Sequence, residues 1–116
     1  ITYNGCRVLA AWLRSHPNSL GQLQELFMNG ARLGADGVAE LVGAFRTEAV
    51  LSKLEELDLV NVKAESSGVR ALAEALEQGA ALPNLRKLGI FGNPLVRERA
   101  MEVLQSVCGV RGIQLT

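Results

Sequence analysis

A leucine pattern that returns every 31 residues constrains this chain more than any other feature. Leu20-x-x-Leu23-x-x-Leu26-x-Met28 recurs as Leu51-x-x-Leu54-x-x-Leu57-x-Leu59 and again as Leu82-x-x-Leu85-x-x-Leu88-x-Ile90, each 31 residues after the last. A second block keeps the same beat. Gly5, Gly37, Gly68 and Arg99 each open a nonamer of similar pattern, at steps of 32, 31 and 31. Self-similarity at a period of roughly 20 to 50 residues means stacked supersecondary units, none of which buries its apolar face alone. The 116 residues suffice for one such stack and are too few for two ordinary domains. The expected organisation is a single domain over 1–116, with units at about 1–19, 20–50, 51–81 and 82–112.

Each unit divides into two periodicities. Around Leu26-x-Met28, Leu57-x-Leu59 and Leu88-x-Ile90 apolar residues alternate, which predicts short half-buried strands, with Ile113-x-Leu115 as a fourth. In the nonamers they fall at helical spacing: Val38, Leu41, Val42 and Phe45, then Val69, Leu72, Ala73 and Leu76, then Ala100, Val103, Leu104 and Val107. Asn4, Asp36 and Ser67 stand just before them, where a short polar side chain can accept from an orphan amide. Pro17, Gly79 and Pro83 mark the returns from helix to strand. Parallel strands stack about 4.8 Å apart, whereas helices are about 10 Å across. The mismatch bends such a stack, with strands on the concave side and helices on the convex side.

Leu51-x-x-Leu54-x-x-Leu57-x-Leu59 and Leu82-x-x-Leu85-x-x-Leu88-x-Ile90-x-x-Asn93-x-Leu95 resemble the leucine-rich repeat. The long helical half makes them similar to its ribonuclease-inhibitor-like subclass, over nearly the whole chain. The resemblance implies an α/β fold, a right-handed βα solenoid with a parallel sheet on the concave face. Ribonuclease inhibitor, the Ran GTPase-activating protein, the sensor regions of NLR receptors and the tropomodulins share that architecture and not a chemistry. The family usually places Asn or Cys five residues after the strand's first leucine, where it bonds the backbone of adjacent turns. Only Asn93 fills that place here, with Ala31 and Val62 at the equivalents. Backbone groups at those turns are expected to need water or main-chain partners. The chain starts at Ile1, and the expectation is a piece of a longer repeat array.

Twelve Lys and Arg balance twelve Asp and Glu, so no basic field exists to neutralise phosphates or adhere to anionic lipid, and neither nucleic acid nor membrane is an expected partner. No apolar stretch approaches the ~20 residues of a spanning helix, and no leader pattern opens the chain. Cys6 and Cys108, 102 positions apart, fit neither a metal site nor a disulfide framework. They read as free thiols of a reducing, cytoplasmic compartment. The lone His16, before Pro17, has no nucleophile or second ligand near it in sequence. Gly30-Ala-Arg-Leu-Gly34-Ala-Asp-Gly37 lacks the spacing of a phosphate loop, and the equivalence of Gly37 and Gly68 suggests turns or close helix packing instead. Glu56-x-Asp58 could do acid–base work only if buried and split in pKa. With Glu25 it could at best hold a hard cation weakly. No enzyme activity, cofactor or metal is expected.

Strand alternation sorts the faces. With Leu26, Met28, Leu57, Leu59, Leu88 and Ile90 inward, the residues Glu25, Phe27, Asn29, Glu56, Asp58, Val60, Lys87, Gly89 and Phe91 point outward as a three-by-three patch. Phe27, Val60 and Phe91 among charges suit a recognition face better than a face kept only for solubility. The expected function is therefore protein–protein recognition, with Phe27, Asp58 and Phe91 as anchors and Glu25, Glu56 and Lys87 selecting charge. A second reading is a GTPase-activating module resembling the Ran activator, working from Arg32 or Arg97 in loops; a third is a structural spacer. Val8 and Trp12 form an apolar stripe on the first helix that later units lack, a possible surface for self-association.

Overall fold

The computed structural model describes residues 3–16, 19–46, 50–78 and 81–116. Four helices alternate with four strands: α1 (Tyr3–Ser15), β1 (Glu25–Phe27), α2 (Gly34–Phe45), β2 (Glu56–Asp58), α3 (Ser66–Glu77), β3 (Lys87–Gly89), α4 (Glu98–Arg111) and β4 (Gln114–Leu115). The strands form one parallel sheet in the order β1-β2-β3-β4, and each helix packs on the next. The chain is thus α/β. Among the described residues no helix is long and apolar enough to cross a membrane.

Register follows the leucine beat. Glu25 pairs with Glu56 and Glu56 with Lys87, so residues 31 apart lie side by side. The last step differs, because Lys87 pairs with Gln114, 27 residues on. Gly112, at φ 71°, closes α4, and its own amide and that of Ile113 donate to the Cys108 carbonyl. The chain then enters β4 at once, without the longer return that follows α2 and α3. Pro17 and Gly79 lie outside the described residues.

Leu57, Leu59, Leu88 and Ile90 are at most 1% exposed, and full burial of such side chains stabilises by about 1.5–3 kcal/mol each. Leu26 is only half-buried, because β1 has no described strand on its outer side. The same asymmetry appears in the helices. α2 and α3 each bury six residues and α4 only three, Ala100, Leu104 and Cys108. Val103, expected in the core with its equivalents Leu41 and Leu72, is exposed, and Val107 is half-buried. A position on the flank of a stacked helix is dry only when a further helix covers it, and α4 packs on α3 alone among the helices.

The expected caps are also corrected. Asn4, Asp36 and Ser67 lie inside their helices, and no side chain caps α2, α3 or α4. Ser66 instead accepts the Arg97 amide at 2.9 Å, tying one unit to the next. Gly68 serves close packing as expected: a Cβ there would stand 3.3 Å from Val38 Cβ and 3.4 Å from Ala35 Cα, so α3 sits directly on α2. Gly30, Asn61 and Gly92, 31 residues apart, share the positive φ that turns the chain after β1, β2 and β3. Gly and Asn are the residues that enter it most readily.

Asn93 supplies what Ala31 and Val62 do not. Its Oδ1 accepts from the amides of Val62 (3.1 Å) and Ala64 (3.0 Å), while its Nδ2 donates to the carbonyls of Leu59 (3.0 Å) and Ile90 (2.6 Å). One buried amide thus fastens its own turn to the preceding one. At the turn without Asn, main chain does the work: the Leu33 and Gly34 amides donate to the Val62 carbonyl. Arg111 of α4 plays a similar part elsewhere, donating to the carbonyls of Leu76, Ala81 and Leu82. Its partial burial lowers its pKa from the ordinary arginine value.

Candidate functional site

The helices cover one side of the sheet, and alternation turns the side chains of Glu25, Phe27, Glu56, Asp58 and Lys87 to the other. On that open side Phe27 is 56% and Phe91 51% exposed. Glu25, Asn29 and Lys87 are exposed as well, while Glu56, Asp58 and Val60 are half-buried. One expected member drops out. Gly89 is buried, since Asp58 and Val60 of β2 and its turn lean over it: an added Cβ would stand 3.0 Å from Asp58 Oδ1 and 3.1 Å from Val60 Cγ2. Glycine at 89 is what lets those two side chains lie across β3.

Asp58 is less free than an anchor should be. Its Oδ1 accepts the Val60 amide at 2.8 Å, a local bond of the kind Asp makes two residues ahead of itself. Its carboxylate stiffens the strand end and offers a partner only its remaining lone pairs. Val60 in turn rests beside Gly89 and Gly92, so the outward apolar groups are a ridge of Val60 and Phe91 on one side and Phe27 on the other.

At the opposite ends of the strands an open polar groove of about 480 Å³ crosses all four of them, lined by Glu25, Glu55, Glu56, Arg86, Lys87 and Gln114 among others. Arg86 donates to Glu55 at 2.9 Å. This pair spans the 31-residue step, so its juxtaposition was readable from the leucine register, yet only the structure shows it closed. The ion pairs among the described residues are this one, Arg14–Glu40 and Arg46–Glu74. Glu25, Glu56 and Lys87 therefore carry open charges.

Other candidates lie apart from this face. Arg32 is exposed between β1 and α2, and Arg97 is exposed just before α4. His16 stacks on Trp12 with ring centroids 5.0 Å apart, its Nδ1 3.1 Å from the Trp12 carbonyl oxygen. Val8 is 71% and Trp12 40% exposed on α1. Cys6 and Cys108 are free and buried, and burial pushes both thiols up, Cys108 to about 11. Such thiols stay protonated and unreactive at neutral pH. Among the described residues no three His, Cys, Asp or Glu side chains gather as a metal site.

Comparison with protein-family models and with curated proteins finds no match. The open face carries exposed aromatic rings beside charges open to solvent.

Proposed function

We propose that the chain is a leucine-rich repeat module of the ribonuclease-inhibitor-like subclass that recognises a protein partner on its concave strand face. Three features support the solenoid: strands paired in chain order, a 31-residue register, and helices packed each on the next. The observation that carries the function is the placement of Phe27 and Phe91, each more than half exposed on the same sheet face. Burying an aromatic ring is worth about 1.5–3 kcal/mol, and the fold leaves two such rings in water while its leucines are dry. Phe27 is held within β1, and Phe91, two residues past β3, by its amide donating to the Thr116 carbonyl; rings on a backbone fixed in this way lose little freedom on binding, which suits them as hot-spot anchors.

The footprint is small. Three or four short strands fall below the ~800 Å² per partner of a standard interface, so affinity from this chain alone is modest. The test is selection of peptides from a random displayed library against the intact chain. Selected peptides are expected to lose at least about tenfold in affinity against Phe27→Ala and Phe91→Ala, while both variants keep the melting temperature of the parent. Peptides that bind both variants as well as the parent refute the concave-face reading.

A further inference from the structure

The open charges on the strand face name the partner's chemistry. Across the row at the start of the strands stand Glu25 on β1, Glu56 on β2, Lys87 on β3 and Gln114 on β4, each the register neighbour of the next. Neighbouring strands are about 4.8 Å apart, so the two carboxylates sit side by side. Like charges placed directly opposite on a sheet destabilise it. Glu55, beside Glu56 in sequence, is already satisfied by Arg86. Neither the Glu25 nor the Glu56 carboxylate has an ion-pair or hydrogen-bond partner among the described residues. The row is thus doubly negative at the β1–β2 end and singly positive at β3. Two residues further along β1, about 7 Å by strand rise, stands the exposed ring of Phe27, with Phe91 across the face.

We infer that the concave face takes an extended polypeptide segment presenting a Lys or Arg side chain to Glu25 and Glu56 and a bulky apolar side chain between Phe27 and Phe91. This rests on the recognition reading above and adds to it the charge and polarity of the partner. A cation there relieves the mutual repulsion of the two carboxylates, which Lys87, the register neighbour of Glu56 alone, offsets on one side only. Lys87 sets the direction: the basic residue belongs at the β1–β2 end, and any acidic residue of the segment at the β3 end. The apolar side chain supplies affinity, and the charges supply selection and orientation.

The experiment uses the same displayed library, sequenced after selection on the intact chain and on the double variant Glu25→Lys/Glu56→Lys. Clones from the parent are expected to be enriched in Lys and Arg beside bulky apolar residues. They should weaken at least about tenfold on the double variant, which should itself select acidic clones. Their binding should also fall as sodium chloride is raised from about 50 to 500 mM, because contacts between exposed charges are screened. Melting curves confirm that the double variant is folded; Glu25→Gln/Glu56→Gln, with a smaller loss in the same direction, serves if it is not. Clones that depend on Phe27 and Phe91 but show no basic enrichment overturn this inference and leave the recognition surface standing. Clones indifferent to the phenylalanines, or a library that yields no binder, overturn both.

Discussion

Asn93→Ala tests whether one buried amide holds two repeats together. Four backbone groups lose their partner in that variant: the amides of Val62 and Ala64 and the carbonyls of Leu59 and Ile90. None of the four has a second hydrogen bond among the described residues. A buried group left unsatisfied costs about 1–3 kcal/mol, but the turn borders solvent at exposed Asn61 and Lys63, where water can enter. Taking the low end for each group gives a loss of about 4 kcal/mol. A domain of this size has a total stability of about 6–17 kcal/mol, so about 2–13 kcal/mol remains and the variant still folds. With a urea slope of about 1.5 kcal/mol/M, the unfolding midpoint followed by far-ultraviolet circular dichroism falls by about 2.7 M. Asn93→Leu fills the same space without the bonds and is expected to recover nothing. A midpoint shift below about 0.7 M for alanine, or recovery by leucine, would refute the argument, because the side chain would then act through packing.

Phe27→Ala and Phe91→Ala should change stability by no more than about 0.5 kcal/mol, whereas Leu57→Ala and Leu88→Ala should each lose about 2–5 kcal/mol, measured by the same urea titration. Arg111→Ala should lose about 2–3 kcal/mol, since three carbonyls of α3 and its following turn share one guanidinium; Arg111→Lys, with a single ammonium, should recover less than half. The raised thiol pKa values imply an alkaline limb. Cys108 ionises near 11 when folded and at about 8.5 when unfolded, so its contribution is complete below the lower value and lost as pH rises through the upper one. Melting temperatures between about pH 8 and 11 should fall less steeply in Cys108→Ala than in the parent; identical slopes would exclude the thiol as a source.

The leucine spacing made the sheet legible because parallel pairing of repeats leaves no freedom in register. Once Leu26, Leu57 and Leu88 share a layer, Glu25, Glu56 and Lys87 must share a row, and they do. Positions whose environment depends on the unit next door were less legible. Val103 carries the same helical pattern as Leu41 and Leu72 but faces water, because pattern records what a helix can bury and not whether a neighbour is there. Gly89 counts as outward by alternation, yet Asp58 and Val60 fill the space its missing side chain leaves. The helix starts misled in another way. Asp36 and Ser67 are good caps in isolation, but the helices begin earlier, with Ser66 engaged to the following unit. At the site itself, the exposure of both phenylalanines was readable, whereas the local bond that occupies Asp58 was not.

The constant offset between β1, β2 and β3 makes the middle of this chain interchangeable stock. Removing residues 51–81 would set Leu26 beside Leu88 in the alignment it now has with Leu57, and inserting a copy of them would widen the sheet by one strand without disturbing either side. Each added copy would bring another Glu, Asp and Val to the outward face in fixed columns. A surface composed this way can be lengthened, shortened or re-lettered one column at a time, while the joints between units stay the same.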